Sequence, residues 1–456
     1  MKKRIISVLL SATMVASMLV GCGGGEEKKE DVNNEGTEAG GEESKDGYSG
    51  KMVISIHDQL NNPAIVEGIE AVGATDKWKN VEIEVKPKDQ EYAVNMPVQI
   101  MGGEQIDIIY NFNPIEQAKN SAAGLCVPLD DIVADLGINM EERYGNKAAD
   151  GKNQEGELVA IPGAYTTWSL FYNKALFDDA GIPYPDPDVP MTWTEYRELA
   201  KKLTSGEGAD KIYGTLNLQW PMYWYGQAIM ELGGGQNFYN AEGLSNIEDP
   251  AFVNALESTY NMQNVDKSTP TQADIIARKI EPDGYFNGKY AMYIHGNWFL
   301  NWMADTEVYP RDYEIGMAPM PVPEGSTDKM TWGVTGTYSV GATSANPTMA
   351  TDFIIDLVAY ATEHSPAEAY ADTTVEATAL YQDLGIKDEG YDPENVKKYF
   401  ANPEVLSVTE KVTGQNSAKY ETIINEEVEK YFADAQDLDT TIQNIKERGN
   451  VEIQQK

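Results

Sequence analysis

At several points in the chain, tryptophan and tyrosine stand beside amides, hydroxyls and glycines. Ile294 to Trp302 reads IHGNWFLNW, Tyr165 to Trp168 reads YTTW, Gln219 to Gln227 reads QWPMYWYGQ, and Thr331 to Gly336 reads TWGVTG. Flat rings beside polar groups suit a ligand with apolar faces and a polar rim, as a pyranose has. A ring buries on the order of 150–250 Å² when covered, so two or three such platforms supply much of an affinity. Polar groups left unpaired in a closed site cost about 1–3 kcal/mol each, so the rim sets orientation. The 8 Trp and 26 Tyr of this chain give an ample supply of platforms.

Within IHGNWFLNW, Tyr290–Ile294 reads as a strand and Gly296-Asn297 as its end, with Asn297 able to cap a following helix. Trp298 then falls at the first helical position and its ring can project beyond the strand. Trp302, one turn on, is expected to pack on its own domain.

Catalytic signatures are few. The chain has no G-x-x-x-x-G-K-[ST], no G-x-S-x-G, no H-E-x-x-H and no C-x-x-C, and His57, His295 and His364 stand in no metal-binding spacing. Asp186–Asp188, reading DPD, lacks the glycine and distal glutamate of a calcium loop and reads as a solvated turn. A carboxylate pair for glycoside hydrolysis needs only two of 73 acids, so a surface glycoside hydrolase stays open as a rival. No metal and no cofactor are expected.

With 35 Lys+Arg against 73 Asp+Glu the formal charge is -38, which disfavours nucleic acid, since phosphate backbones are bound by releasing counterions to Lys and Arg. The N-terminus is unlike the rest. Lys2-Lys3-Arg4 precede an apolar run, Ile5–Val20, of signal-peptide length, which ends in Leu19-Val20-Gly21-Cys22. This resembles a bacterial lipobox, which implies cleavage after residue 21, lipid (palmitate among the acyl groups) on Cys22, and Cys126 left as a lone buried thiol. Cleavage would remove three cations and no acid, taking the charge from -38 to -41. Residues 23–50, rich in Gly, Glu and Asn, cannot bury enough surface to order themselves and read as an acidic tether.

These residues need elements to position them. Met52–Ile56, Val81–Pro87 and Ile106–Tyr110 read as strands alternating with helices at Pro63–Ala71 and Tyr92–Gly102, which predicts a largely parallel α/β sheet. Ligands of such sheets lie beyond the carboxyl ends of strands, where His57, Asp58, Asn111 and Asn113 fall. Ser169–Tyr172 reads as another strand, and MTWTEYRELAKKLT as a helix capped by Thr192 or Thr194. The tail from Glu404 to Lys456 reads as mostly helical.

Several of these stretches, in order, resemble the extracellular solute-binding proteins of ABC importers, in the group of maltose-binding and other sugar-binding lipoproteins. They are LVAIPGAYTTWSLFYNKALFDDAGIPYP with MTWTEYRELAKKLT, FNGKYAMYIHGNWF at Phe286–Phe299, IGMAPMPVPEG, and a Gly-rich strand before ANPTMATDFIIDLV. The resemblance implies a Venus-flytrap fold of two α/β lobes joined by crossover strands near Ala164, Met317 and Ser365–Tyr370. One lobe would be 51–163 plus 318–368 and the other 164–317 plus 369–456. Residues 363–400 match nothing in the family. By the same resemblance, Trp298 is the residue that stacks on sugar, and Tyr165, Thr166 and Trp168 lie at a crossover where ligand is met. Tyr223, Trp224 and Trp332 are further candidate platforms, and His57, Asp58, Asn111 and Asn113 candidate hydroxyl partners. The implied protein is a monomer, not an enzyme, lipid-anchored at the outer face of a bacterial cytoplasmic membrane. It would capture a di- or oligosaccharide and pass it to a permease driven by a separate ATPase. The alternatives are a peptide, polyamine or modified sugar in the same fold, or a purely adhesive lipoprotein.

Overall fold

The computed structural model describes residues 47–56, 63–86, 92–153, 155–366, 368–382, 384–388, 391–402 and 404–455. The leader, Cys22, the tether up to residue 46, His57 and Asp58 lie outside the described residues.

Ser49–Ser55 (β1), Asn80–Val85 (β2) and Ile108–Asn111 (β3) pair in parallel, as the alternation with helices predicts. Ile161–Tyr165 (β4) and Trp168–Asn173 (β5) follow, then Tyr213–Leu216 (β6), Tyr290–Gly296 (β7) and Ile315–Ala318 (β8). Met330–Gly333 (β9), Thr335–Val340 (β10), Ala369–Tyr370 (β11) and Leu406–Thr409 (β12) complete the strands among the described residues. They form two main sheets, β11-β4-β10-β3-β1-β2 and β6-β7-β5-β8, and a β12-β9 ribbon.

The sheets are mixed, which corrects the expectation of a largely parallel arrangement. β10 runs antiparallel to β3 and β4, and β5 runs antiparallel to β7 and β8. A chain that leaves one lobe for the other must come back in the opposite direction. The strands beside the crossovers therefore cannot all be joined by helical βαβ connections.

Period-two burial explains how each sheet is covered on both faces. In β3, Ile108 packs in the core that holds Trp78, Phe353 and Leu357, while Ile109 faces Met96 and Ile100 of the Tyr92–Met101 helix. In β5, Leu170 and Phe171 enter separate cores on opposite faces. The Trp193–Leu203 helix starts on a full capping box, with Thr192 accepting from Glu195 N at 3.2 Å and Glu195 accepting from Thr192 N at 2.8 Å.

The backbone passes from the first sheet to the second at Thr166-Thr167, between β4 and β5. It returns at Val334, not near Met317. Met317 lies in β8 of the second sheet, Val322 bridges Thr192, and β9 pairs with β12, so residues up to Gly333 stay with the second sheet's partners. The tail is mostly helical, as expected, with one strand ahead of its helices. β12 precedes the Ser417–Phe432 and Leu438–Ile453 helices because Leu406–Thr409 completes the ribbon with β9. These two crossings are bonded side by side, Thr166 N donating to Val334 O at 2.8 Å and Val334 N to Thr166 Oγ1 at 3.1 Å. A third follows β11, since Leu380, Tyr381 and Phe400 pack in the core of Phe171.

Candidate functional site

Where the two sheets' elements face each other, two adjoining cavities of about 220 and 100 Å³ share Pro114, Asp150 and Thr409 in their walls. The first-lobe wall comes from the start of the Pro114–Ala122 helix and from residues 146–153. The opposite wall is Gln236 with Thr409, Val412, Thr413 and Ser417, and Gly333-Val334-Thr335 of the return crossing closes the floor.

Local chemistry fixes these walls. Asn113 caps its helix, its Oδ1 accepting from Ile115 N and Glu116 N at 3.0 Å each, with Pro114 at the first turn where no N–H is needed. Gln117 is buried, donating to Lys152 O at 3.2 Å and accepting from Thr337 Oγ1 at 2.6 Å. Asp150 accepts from Thr335 Oγ1 at 2.5 Å and lies 3.7 Å from Lys147 Nζ. Lys147 Nζ in turn stands 5.1 Å from the centre of the Tyr165 ring, so the first-lobe wall meets the crossover through a cation–π contact. The rim is thus hydroxyls, amides and a few charges.

Beside the crossover, the aromatic residues gather around Trp168. Its ring centre is 5.2 Å from Trp298, 5.9 Å from Tyr223 and from Trp332, and 6.0 Å from Trp220. Trp298, Tyr223, Trp220 and Tyr165 are half-buried and keep accessible surface. Tyr223 OH donates to Ile294 O at 2.8 Å, leaving the ring to do the contacting. His295 is wholly buried in this group, and burial pushes its imidazole down to about 3, opposed by a bond to Gly296 O.

Several sequence candidates are corrected by burial. Trp168 and Trp332 are 1% exposed and Trp224 is 4%, so none offers a free face. Trp332 is stacked on Trp193, and Trp224 packs against Tyr225 and Phe238. Asn111 is also closed off, accepting from Asn120 at 2.9 Å and donating to Ser339 at 2.9 Å. Asn113 and Thr166 keep some exposure, but Asn113's oxygen caps a helix and Thr166's hydroxyl serves Val334.

The expected capping by Asn297 is replaced by another start. Trp298 is itself the N-cap of the Phe299–Ala304 helix, with no side-chain capping bond, and Asn297 is buried. Its ring folds back over Gly296, whose missing side chain makes the room. Trp302 packs on its own lobe, 5.5 Å from His295 and 6.0 Å from Phe299. Cys126 is only partly buried.

Sequence reasoning missed Lys147, Asp150, Thr335, Thr409 and Gln236. They belong to no motif, and the adjoining cavities they line from opposite walls exist only once the lobes face each other. Trp220 had a signal, since it stands inside the quoted QWPMYWYGQ.

The family described as bacterial extracellular solute-binding protein matches residues 62–368. The chain belongs to that family. This solute-binding protein is 22% identical over 335 residues to the sn-glycerol-3-phosphate-binding periplasmic protein of Pectobacterium atrosepticum, covering 71% of this chain and 73% of that one. Its fold is shared with a sugar transporter from Rhizobium etli in an open conformation (TM-score 0.70, 23% identity, 87% of this chain and 98% of that one). It is shared equally with a substrate-binding protein from Listeria monocytogenes in complex with cycloalternan (TM-score 0.70, 18% identity, 90% and 100%). The architecture is therefore that of the two-lobe binding proteins, and the family is one of solute binding, not of enzymes.

Proposed function

We propose that this solute-binding protein captures a carbohydrate, a di- or oligosaccharide, between its lobes and delivers it to an ABC permease. The observation that carries the reading is the pairing of a hydroxyl- and amide-lined interlobe cavity with half-buried rings of Trp298, Trp220, Tyr223 and Tyr165 at the crossover. Trp298 and Tyr223 are the ligand platforms in this reading, and Thr335, Thr409, Gln236 and Asp150 meet hydroxyls. In this reading the lobes divide at Thr166-Thr167, at Val334 and after β11. Closure is driven only by the ligand's higher affinity for the closed form.

The same reading takes the protein as a monomer held at the outer face of the membrane by lipid on Cys22, which the lipobox-like LVGC supports. Metabolic labelling with palmitate, lost in Cys22→Ala, tests the anchor.

A second reading has its own support. Lys147 and Lys152 stand on the first-lobe wall of a strongly acidic chain, and curated relatives are named for sn-glycerol 3-phosphate. A phosphorylated polyol would use those cations. A thermal-shift screen with neutral oligosaccharides, sn-glycerol 3-phosphate, peptides and polyamines separates the two. A rise in Tm for one oligosaccharide series supports the first reading. A rise for the phosphate ester alone, lost in Lys147→Ala, replaces it with the second.

A further inference from the structure

Beside the aromatic group, a cavity of about 20 Å³ is lined by residues of the Trp193–Leu203, Met222–Leu232 and Pro250–Tyr260 helices, of β7 and of β9. Three of its lining residues carry buried polar atoms without a partner among the described residues: Trp193 Nε1, Trp332 Nε1 and Asn217 Oδ1. Asn217 and Trp332 are 5% and 1% exposed. A fourth lining residue, Thr259, donates its hydroxyl proton to Ala255 O at 3.0 Å and so keeps a lone pair available.

The chemistry of these four groups is complementary to one molecule. An indole N–H only donates, and a carboxamide or hydroxyl lone pair accepts. Two donors with two acceptors match a water, which accepts two hydrogen bonds and donates two. A void of about 10–15 Å³ on this measure is enough to hold it. Two N–H donors disfavour a cation, and the Asn217 amide oxygen disfavours an anion.

We propose that this cavity is a built site for one firmly held water molecule. The water bonds Trp193, at the start of its helix, Asn217, just past β6, and Trp332 in β9 to one another. It thereby fixes β9, the strand that leads directly into the return crossing at Val334. Gly226 belongs to the same arrangement. A Cβ built there would stand 2.4 Å from the Trp332 ring, so only glycine allows the ring its place beside the cavity.

The deciding experiment is a high-resolution crystal structure of the ligand-free protein. The expected result is a single spherical density peak within about 2.7–3.2 Å of Trp193 Nε1, Trp332 Nε1 and Asn217 Oδ1. An empty cavity overturns the proposal, as do side chains turned to protein partners. In solution, Asn217→Leu removes an acceptor and fills the void, and should shift tryptophan emission to the blue as the indoles lose their polar partner. Gly226→Ala should produce the same shift through Trp332. Unchanged emission in a folded variant counts against the water, and the wild-type crystal decides if neither variant folds.

Discussion

Gly296→Ala is a sharp perturbation of the proposed platform because it touches the ring without altering it. Gly296 ends β7 in register with Trp168, where strand-like backbone suits alanine. The space does not. A Cβ built there lies 1.8 Å from Trp298 Cζ3, 2.2 Å from Cη2 and 2.4 Å from Cε3. Carbons rest at about 3.5–4.0 Å, so the indole must retreat by about 2 Å. That retreat breaks its edge contacts with Trp168 at 5.2 Å and His295 at 4.9 Å. Overpacking of this kind costs about 1–3 kcal/mol of stability, which leaves a large protein folded. If the displaced ring is a ligand platform, saccharide affinity falls by at least about tenfold, or 1.4 kcal/mol, in isothermal titration calorimetry. The control is a cycle with Trp298→Ala. Both changes act through one ring, so the double variant should bind as Trp298→Ala alone does, far from additive. A folded Gly296→Ala that binds like wild type refutes the platform, and additive losses show that Gly296 acts through something else.

Asp388 accepts from Arg311 and, at 2.9 Å, from Ile315 N, and both charged side chains are only 4% exposed. Asp388→Ala leaves the guanidinium buried and unpaired and should cost about 3–5 kcal/mol in urea unfolding, with Arg311→Met/Asp388→Leu recovering much of it. His295 titrates near 3 in the fold because it is buried, against about 6.5 when unfolded, so the unfolded chain binds the extra proton between those values. Its contribution to stability is therefore complete above about pH 6.5 and is lost as pH falls towards 3. Urea midpoints measured from pH 7 to 4 should fall less steeply in His295→Phe, and parallel profiles would contradict this. Burial pushes the Cys126 thiol up to about 11, with a bond from Ser339 opposing it. Alkylation at pH 8 should be much slower in the native protein than in guanidinium, and equal rates would show that the thiol is not shielded.

What was readable locally came from short-range physics. The cap at Thr192 needs only the four residues Thr192 to Glu195, and the structure takes Thr192 of the two caps, Thr192 and Thr194, that the sequence left open. The apolar runs of β1 and β3 and the alternation of β2 likewise identified strands, because each pattern is written into its own segment. Local signals misled where tertiary neighbours compete for the same side chain. Trp332 and Trp224 have the composition of platforms, yet each found a covering ring or helix and became core. Asn111 stands at a strand end, where a ligand would be met, but Asn120, Thr337 and Ser339 satisfy its amide first.

By itself, then, the sequence determined the family, the alternation of strands and helices, and Trp298 as a ring placed at a strand end. The tertiary structure alone decided which rings remain half-buried, where the chain returns at Val334, and that Lys147, Asp150, Thr335 and Thr409 line one cavity. The reason is one of range. Caps and periodicities are set by neighbours a few residues apart. A cleft wall is set by pairings such as Thr335 with Asp150, 185 residues apart in the chain. That pairing lies within the first lobe, yet it forms only after the chain has crossed to the second sheet and returned at Val334.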